Sequence, residues 1–348
     1  GPVMPNGGRW YPTTLAMRNG DVLVVGGDRN GSGDPNTIPD VWQFGAGIGS
    51  IRQLTTASRP VALYPMLFQA PDGRAFMAGP EAQSAFLNTS GTGSWQNGPQ
   101  SHAGFRDYGS AVEYEPGKIL LIGGGAPTAS TETIDLNQAN PQWVSAGNMN
   151  YARRQLNATI LADGKVLVTG GTNAAGFNNA AGAIYASELW SPGAAWTVVR
   201  PQNEKRLYHS TAVLLKDGSV LSIGGGQPVG TGVPDSDHYS AQIYYPPYFY
   251  KGTRPTITSA PTTLTYGQSF AIQTPDAQYI TQVTLVRLSS VTHAFNQSQR
   301  INKLTPTIGS GQVTVTVPPN SQITPGPYFL HVLNGASVPS IAKVVYIQ

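Results

Sequence analysis

An all-β chain built from repeated antiparallel units is what this sequence predicts, and three observations carry the expectation. Charged residues are only 11% of the 348, against 41 Gly and 28 Pro, a balance that suits short strands joined by tight turns rather than helical bundles. No amphipathic run exceeds about three helical turns. Five segments share one pattern of turn, hydrophobic strand and small residues: NGDVLVVGG ending at Gly27, DGRAFMAGP ending at Pro80, PGKILLIGGG ending at Gly125, DGKVLVTGG ending at Gly171 and DGSVLSIGGG ending at Gly226.

The Asn-Gly and Asp-Gly pairs supply the positive φ that a tight hairpin needs. The apolar runs behind them are too uniform for half-exposed strands and are expected to be buried on both faces. Their terminal glycines allow close approach of neighbouring backbones around an axis. The units recur about every 45 to 55 residues, the spacing of kelch-type propeller blades. Trp42, Trp95, Trp143 and Trp190 follow the glycines at similar distances and are expected to pack between blades. Residues 1–252 are therefore expected to form a kelch-type β-propeller.

From YYPPYFYKGTRPTIT onward the glycine repeat stops, Pro246 and Pro247 ending the last blade region. Segments such as QVTLVRL, QVTVTVP and YFLHVLN alternate between polar and apolar residues and are separated by Pro, Gly and Asn. Residues 253–348 are expected to form an immunoglobulin-like β-sandwich.

The net charge of +3 is small and the basic residues are scattered, which argues against nucleic acid or a membrane surface as partner. No run of about 18 apolar residues exists to span a bilayer, and GPVMPNGGRW has neither the basic nor the apolar region of a signal peptide. The low-charge, Thr/Asn/Gly-rich composition reads as that of a secreted, extracellular protein. Sequons at Asn30, Asn88, Asn157 and Asn296 permit glycosylation.

The histidines are five: His102, His209, His238, His293 and His331. One stretch, NEKRLYHSTAVLLKDGSVLSIGGG, sets a phenol and an imidazole side by side, Tyr208 and His209, in the polar lead-in to a blade strand. Neighbours in a regular strand point to opposite faces, so joint use of both requires an irregular backbone. Taken singly, each candidate has a plain structural role: Tyr11 as a blade-core aromatic, Tyr208 as a strand cap, His293 as a surface residue on a sandwich loop.

Four segments together change that balance. RLYHSTAVLLKDGSVLSIGGG resembles the copper-ligand segment of the copper radical oxidases, the glyoxal oxidase and galactose oxidase group. NGGRWYPTTLAMRNGDVLVVGG is similar to the segment carrying that family's radical-forming tyrosine, here Tyr11. SSVTHAFNQSQR resembles the loop that delivers the last histidine through the propeller axis, here His293. DHYSAQIYYPPYFY and GPYFLHVLNGASVPSIAKVV match the blade closure and the final strands, while LYPMLFQAPDGRAFMAG looks closer to the glyoxal oxidase branch.

The resemblance implies copper held by Tyr11, Tyr208, His209 and His293, with Tyr11 the radical residue and Tyr208 the axial base. It implies a small aldehyde or primary alcohol as substrate, with O2 as oxidant and hydrogen peroxide as product. Imidazoles and phenolates in a tetragonal arrangement suit Cu(II).

The chain departs from the family at three points. The family's radical tyrosine is joined by a thioether to a cysteine one blade upstream, and this sequence has no cysteine. The family propeller has seven blades, and five repeats are visible. The expectation is a chain starting part-way through the propeller, completed by an N-terminal fragment of the same precursor that carries the cysteine for the Tyr-Cys cofactor. A five-bladed copper-binding relative without the radical is a second possibility, and a purely structural kelch protein that keeps the motifs by accident a third; the alternative function is a non-catalytic kelch propeller binding copper, carbohydrate or protein. Finally, Asp28-Arg29 stands where the galactose oxidase branch has a tryptophan covering the radical tyrosine, so another aromatic must cover Tyr11 or its radical is less protected.

Overall fold

The computed structural model describes residues 3–45, 49–226 and 238–348. Strands dominate, and the helical content of the described residues is three short 3-10 turns, Ala180–Gly182, Pro247–Tyr250 and Ala277–Tyr279.

Five antiparallel meanders follow one another. The first is β1 (Thr13–Ala16), β2 (Val22–Val25), β3 (Asp40–Gln43) and β4 (Ser50–Gln53). The second is β5 (Met66–Gln69), β6 (Ala75–Gly79), β7 (Gln83–Asn88) and β8 (Ser94–Gln100). The third runs β9 (Ser110–Glu115), β10 (Lys118–Ile122), β11 (Thr128–Asp135) and the first part of β12 (Val144–Ile160). That 17-residue strand continues as the inner strand of the fourth meander, with β13 (Val166–Thr172), β14 (Ser187–Trp190) and β15 (Thr197–Val199). The fifth is β16 (Thr211–Leu214), β17 (Val220–Ile223) and β18 (Ala241–Tyr244). The hairpins behave as the sequence predicts: Gly20 and Gly164 turn the chain at φ 90° and 83°, angles a side chain would strain.

Inner strand follows inner strand through the series, β1 beside β5, β5 beside β9, β9 beside β12 and β12 beside β16. The glycine-led strands β6, β10 and β13 are buried almost throughout, as their uniform apolar runs predict. β2 and β17 instead alternate between buried and more exposed positions. Trp143 and Trp190 are buried in the core, whereas Trp42 and Trp95 stay partly exposed, Trp95 donating its indole N–H to Ala57 O at 2.8 Å.

The segments QVTLVRL, QVTVTVP and YFLHVLN form strands as predicted. Beyond the meanders lie β19 (Thr263–Leu264), β20 (Ser269–Gln273), β21 (Ile280–Arg287), β22 (Val291–Thr292), β23 (Phe295–Asn296), β24 (Ile301–Leu304), β25 (Thr307–Gly309), β26 (Gln312–Thr316), β27 (Gly326–Asn334) and β28 (Lys343–Ile347). A five-stranded sheet, β19-β28-β27-β21-β24, and a three-stranded sheet, β20-β26-β25, enclose a core including Ile272, Val283, Leu285, Val313, Leu330 and Val345.

The β22–β23 hairpin leaves these sheets and reaches the inner strands β9, β12 and β16. Polar residues after its tip bolt it there. Gln297 Oε1 accepts from Thr14 N and Oγ1 at 3.0 and 2.9 Å. Gln299 bridges Ile160 N (2.6 Å) and Ala158 O (3.1 Å). Arg300 pairs with Glu113, both buried. Buried amides so committed are costly to leave unpaired, which fixes where the tip points. Of the sequons, Asn30 and Asn88 are exposed, while Asn157 and Asn296 are buried and closed to modification in the folded chain.

Candidate metal centre

The residue two before each of the first three inner strands is a tyrosine at positive φ: Tyr11 (64°), Tyr64 (49°) and Tyr108 (54°). In the fourth and fifth meanders the same register holds Gln155 (56°) and His209 (61°). Left-handed backbone costs a non-glycine residue about 1–2 kcal/mol, and such strain concentrates where geometry serves a function. Here it turns five successive lead-ins alike.

Buried arginines hold four of these lead-ins. Arg9, Arg106 and Arg153 each sit two residues before the left-handed one, and each donates Nη1 to a strand-end carbonyl: Gly26 O at 2.8 Å, Gly123 O at 2.9 Å and Gly170 O at 2.9 Å. Their second arm pairs with an acid on the third strand, Asp40 (2.6 Å), Glu132 (2.7 Å) and Glu188 (2.7 Å). Arg206 repeats the carbonyl bond, to Gly224 O at 2.8 Å, with Ser240 Oγ at 2.9 Å in place of the acid. One extra residue separates Arg206 from its left-handed residue. Tyr208 is that extra residue, and His209 turning left-handed behind it supplies the irregular backbone that the adjacent pair requires.

The rings converge. Tyr11 Oη and Tyr208 Oη lie 2.7 Å apart. The His293 ring, at the tip between β22 and β23, is centred 4.4 Å from Tyr11, 4.7 Å from His209 and 5.2 Å from Tyr208. Tyr208 and His209 rings are 3.8 Å apart. The other histidines lie elsewhere: His102 is exposed on Glu132, His238 is 3.3 Å from Glu204, and His331 is buried in the sandwich.

Each imidazole is oriented by its Nδ1, His209 toward Gly226 O at 3.2 Å and His293 toward Thr292 Oγ1 at 2.6 Å. His293 Nε2 is buried with no hydrogen-bond partner. Burial, reinforced by the nearby His209, lowers the His293 pKa to about 4, so the ring is neutral near pH 7. The Nδ1 contact with Thr292 leaves Nε2 as the unpartnered nitrogen of a ring packed against Tyr11 and Tyr208, and a metal-binding histidine is commonly oriented through its second nitrogen in this way.

Burial and then the Tyr11 hydroxyl raise the Tyr208 pKa well above that of an ordinary phenol. A cation between the two hydroxyls reverses that, since a bound cation favours the phenolate. No group of three or more His, Cys, Asp or Glu suited to a metal exists among the described residues, so a metal here would rest on phenols and imidazoles. An unsatisfied buried imidazole nitrogen beside two phenols fits copper.

Sequence reading missed the flanking aromatics. Trp10 stacks on Tyr11 at 3.9 Å and Tyr64 stacks on it at 4.8 Å, so two rings pack on Tyr11 where Asp28-Arg29 do not. Phe177 and Tyr108 meet Tyr208 edge-on at 4.5 and 5.9 Å. For Trp10 and Tyr108 the signal was present as a repeat ahead of the inner strands, RWY, RDY and, with one extra residue, RLYH.

The comparisons put this chain with the galactose oxidase-like proteins of the copper radical oxidase family, glyoxal oxidase and galactose oxidase among them. The family model for the glyoxal oxidase N-terminus matches residues 125–248, and that for the galactose oxidase-like Early set domain matches residues 254–347. A galactose oxidase of Gibberella zeae is 30% identical across 97% of this chain and 54% of its own length. The aldehyde oxidase GLOX of Vitis pseudoreticulata is 27% identical across 97% of the chain and 72% of its own. A fungal alcohol oxidase of the AA5 family, solved in complex with copper, superposes with a TM-score of 0.87 at 26% identity, covering 98% of this chain and 76% of that one. The chain thus spans about half the length of the galactose oxidase it matches.

Proposed function

We propose that this chain carries the metal centre of a copper radical oxidase that oxidises aldehydes or primary alcohols with O2 and releases hydrogen peroxide. The observation that carries this reading is the 2.7 Å contact between Tyr11 and Tyr208 hydroxyls beside the buried, unpartnered His293 Nε2. Tyr11, Tyr208, His209 and His293 hold the copper. When bound there, copper supplies the one-electron chemistry that couples substrate oxidation to O2 reduction.

The protein's own groups do the rest. Tyr208, enclosed by Phe177 and Tyr108, takes the hydroxyl proton of the alcohol or hydrated aldehyde. Tyr11 is the residue that gives up an electron, and its phenoxyl takes the hydrogen atom from the substrate carbon. Trp10 and Tyr64 shield that ring from water and quenchers. Two protons and two electrons leave the substrate and reduce one O2 to hydrogen peroxide. The five meanders are read as blades of a kelch-type propeller over residues 1–252, and residues 253–348 as the sandwich that sends His293 to the blades. A thioether on Tyr11 requires a cysteine from outside these 348 residues, which contain none. The exposed sequons at Asn30 and Asn88 suit a secreted enzyme.

Peroxide release tests the proposal. Full-length, copper-loaded protein is expected to release hydrogen peroxide from a simple aldehyde and O2; copper binding with no peroxide from aldehydes or primary alcohols refutes it in favour of a non-catalytic copper-binding propeller.

A further inference from the structure

The second lead-in breaks the arginine pattern. Ala62 stands two residues before Tyr64, where three other meanders place a buried arginine and the fifth places Arg206 one residue earlier, and its N–H donates to Glu81 at 2.7 Å instead. A cavity of about 240 Å³ opens at this place and reaches both Tyr11 and His293. We propose that this cavity, between the Tyr64 and Tyr108 lead-ins, receives the apolar, benzene-sized end of a primary alcohol or aldehyde and presents its reacting carbon to Tyr11 and His293.

The inference rests on reading the Tyr11–His293 site as an oxidation centre, and it names the substrate class. Leu63, Met66, Pro80, Phe105 and Phe295 give the walls their apolar character. Among its polar groups, Asp107 pairs with Arg154, the Tyr64 hydroxyl bonds Thr292 and the Tyr11 hydroxyl bonds Tyr208, leaving His293 Nε2 as an unpartnered nitrogen at its inner end. Neither Lys nor Arg lines the cavity, so its walls offer an anionic substrate no protein cation in place of its lost hydration. A void of roughly 150 Å³ already accommodates benzene, so the volume is sufficient for a benzyl group. Phe105, 54% exposed, stands where such a ring enters from solvent.

The test separates this claim from the oxidase reading by measuring binding without turnover. Benzyl alcohol is titrated into copper-free, full-length protein and followed by ligand-observed NMR, alongside glyoxylate. Binding of benzyl alcohol in preference to glyoxylate is expected, and Ala62→Phe, which fills the void, weakens it about 10-fold or more. Ala62→Leu serves in its place if the larger ring prevents folding, with a loss of several-fold. Equal binding by parent and variant, or tighter binding of glyoxylate, overturns the inference. Selective, Ala62-sensitive binding in a protein that, once loaded with copper, releases no peroxide supports the pocket and counts against the oxidase.

Discussion

Replacing Arg153 with Met removes a guanidinium that is wholly buried within the fourth meander. Its Nη2 pairs with Glu188 at 2.7 Å, both side chains being 0% exposed, and its Nη1 serves Gly170 O and Ala186 O at 2.9 and 3.1 Å. The variant leaves a buried carboxylate without its cation and two carbonyls without a donor. Breaking a buried pair in this way costs about 3–5 kcal/mol. Asn150 still donates to Glu188 from its backbone and side-chain nitrogens, and Tyr151 from its backbone, which places the expected loss near the lower figure. Urea unfolding of the full-length protein reads it as a shifted midpoint. Adding Glu188→Gln to the variant removes the charge while keeping an acceptor for Asn150, and part of the loss returns. A cost below about 1 kcal/mol, the range of a solvent-exposed pair, refutes the reasoning that these clamps are desolvated fasteners of the lead-ins.

Three other outcomes follow from the same geometry. Tyr208→Phe keeps copper but loses turnover by about 10² to 10⁴, the usual contribution of a general base; parent-like peroxide release clears Tyr208 of that role. His331 is buried, with Nδ1 on Ser340 O at 2.8 Å, and burial depresses its pKa to about 4. Its folded pKa lies below the unfolded value of about 6.5, so its contribution is intact above that pH and is lost as pH falls toward 4, about 2.5 kcal/mol by pH 4.5. The urea midpoints of the parent and His331→Gln are compared at neutral pH and at about pH 4.5, and an equal acid loss in both contradicts the assignment. Peptide mapping of full-length protein is expected to find Tyr11 joined to a cysteine-containing peptide that reducing agents do not release, and a free Tyr11 peptide in active enzyme refutes the cross-link.

Much of the fold was legible because the repeat is written locally. Gly20, Gly73, Gly117, Gly164 and Gly218 each follow a turn residue, lead into an apolar run, and adopt positive φ. Tyr208 and His209 are legible as an adjacent pair in a polar lead-in and through the resemblance of their segment to a copper-ligand motif. The physical reason they work together, an extra residue followed by a left-handed histidine, depends on register against β17 and lies outside any window of local sequence. The roles of Arg9, Arg106 and Arg153 were hidden for a related reason, since their acids Asp40, Glu132 and Glu188 lie 26 to 35 residues away by separation of the bonded pairs. Composition gave no hint of Ala62 either, because a missing side chain is visible only against its four counterparts. His293 is still harder to place from sequence: its position depends on Gln297 and Gln299 bonding strands that lie 283 and 139 residues earlier.

The central claim is that two phenols and two imidazoles from distant parts of the chain bind one metal. Calorimetric Cu(II) titration of full-length protein tests it most directly, with parent, His209→Ala and His293→Ala compared. One copper per chain in the parent and loss of most affinity in each histidine variant is the result the account predicts, because each imidazole supplies a strong bond to the metal. Undiminished uptake of one copper by both variants contradicts it.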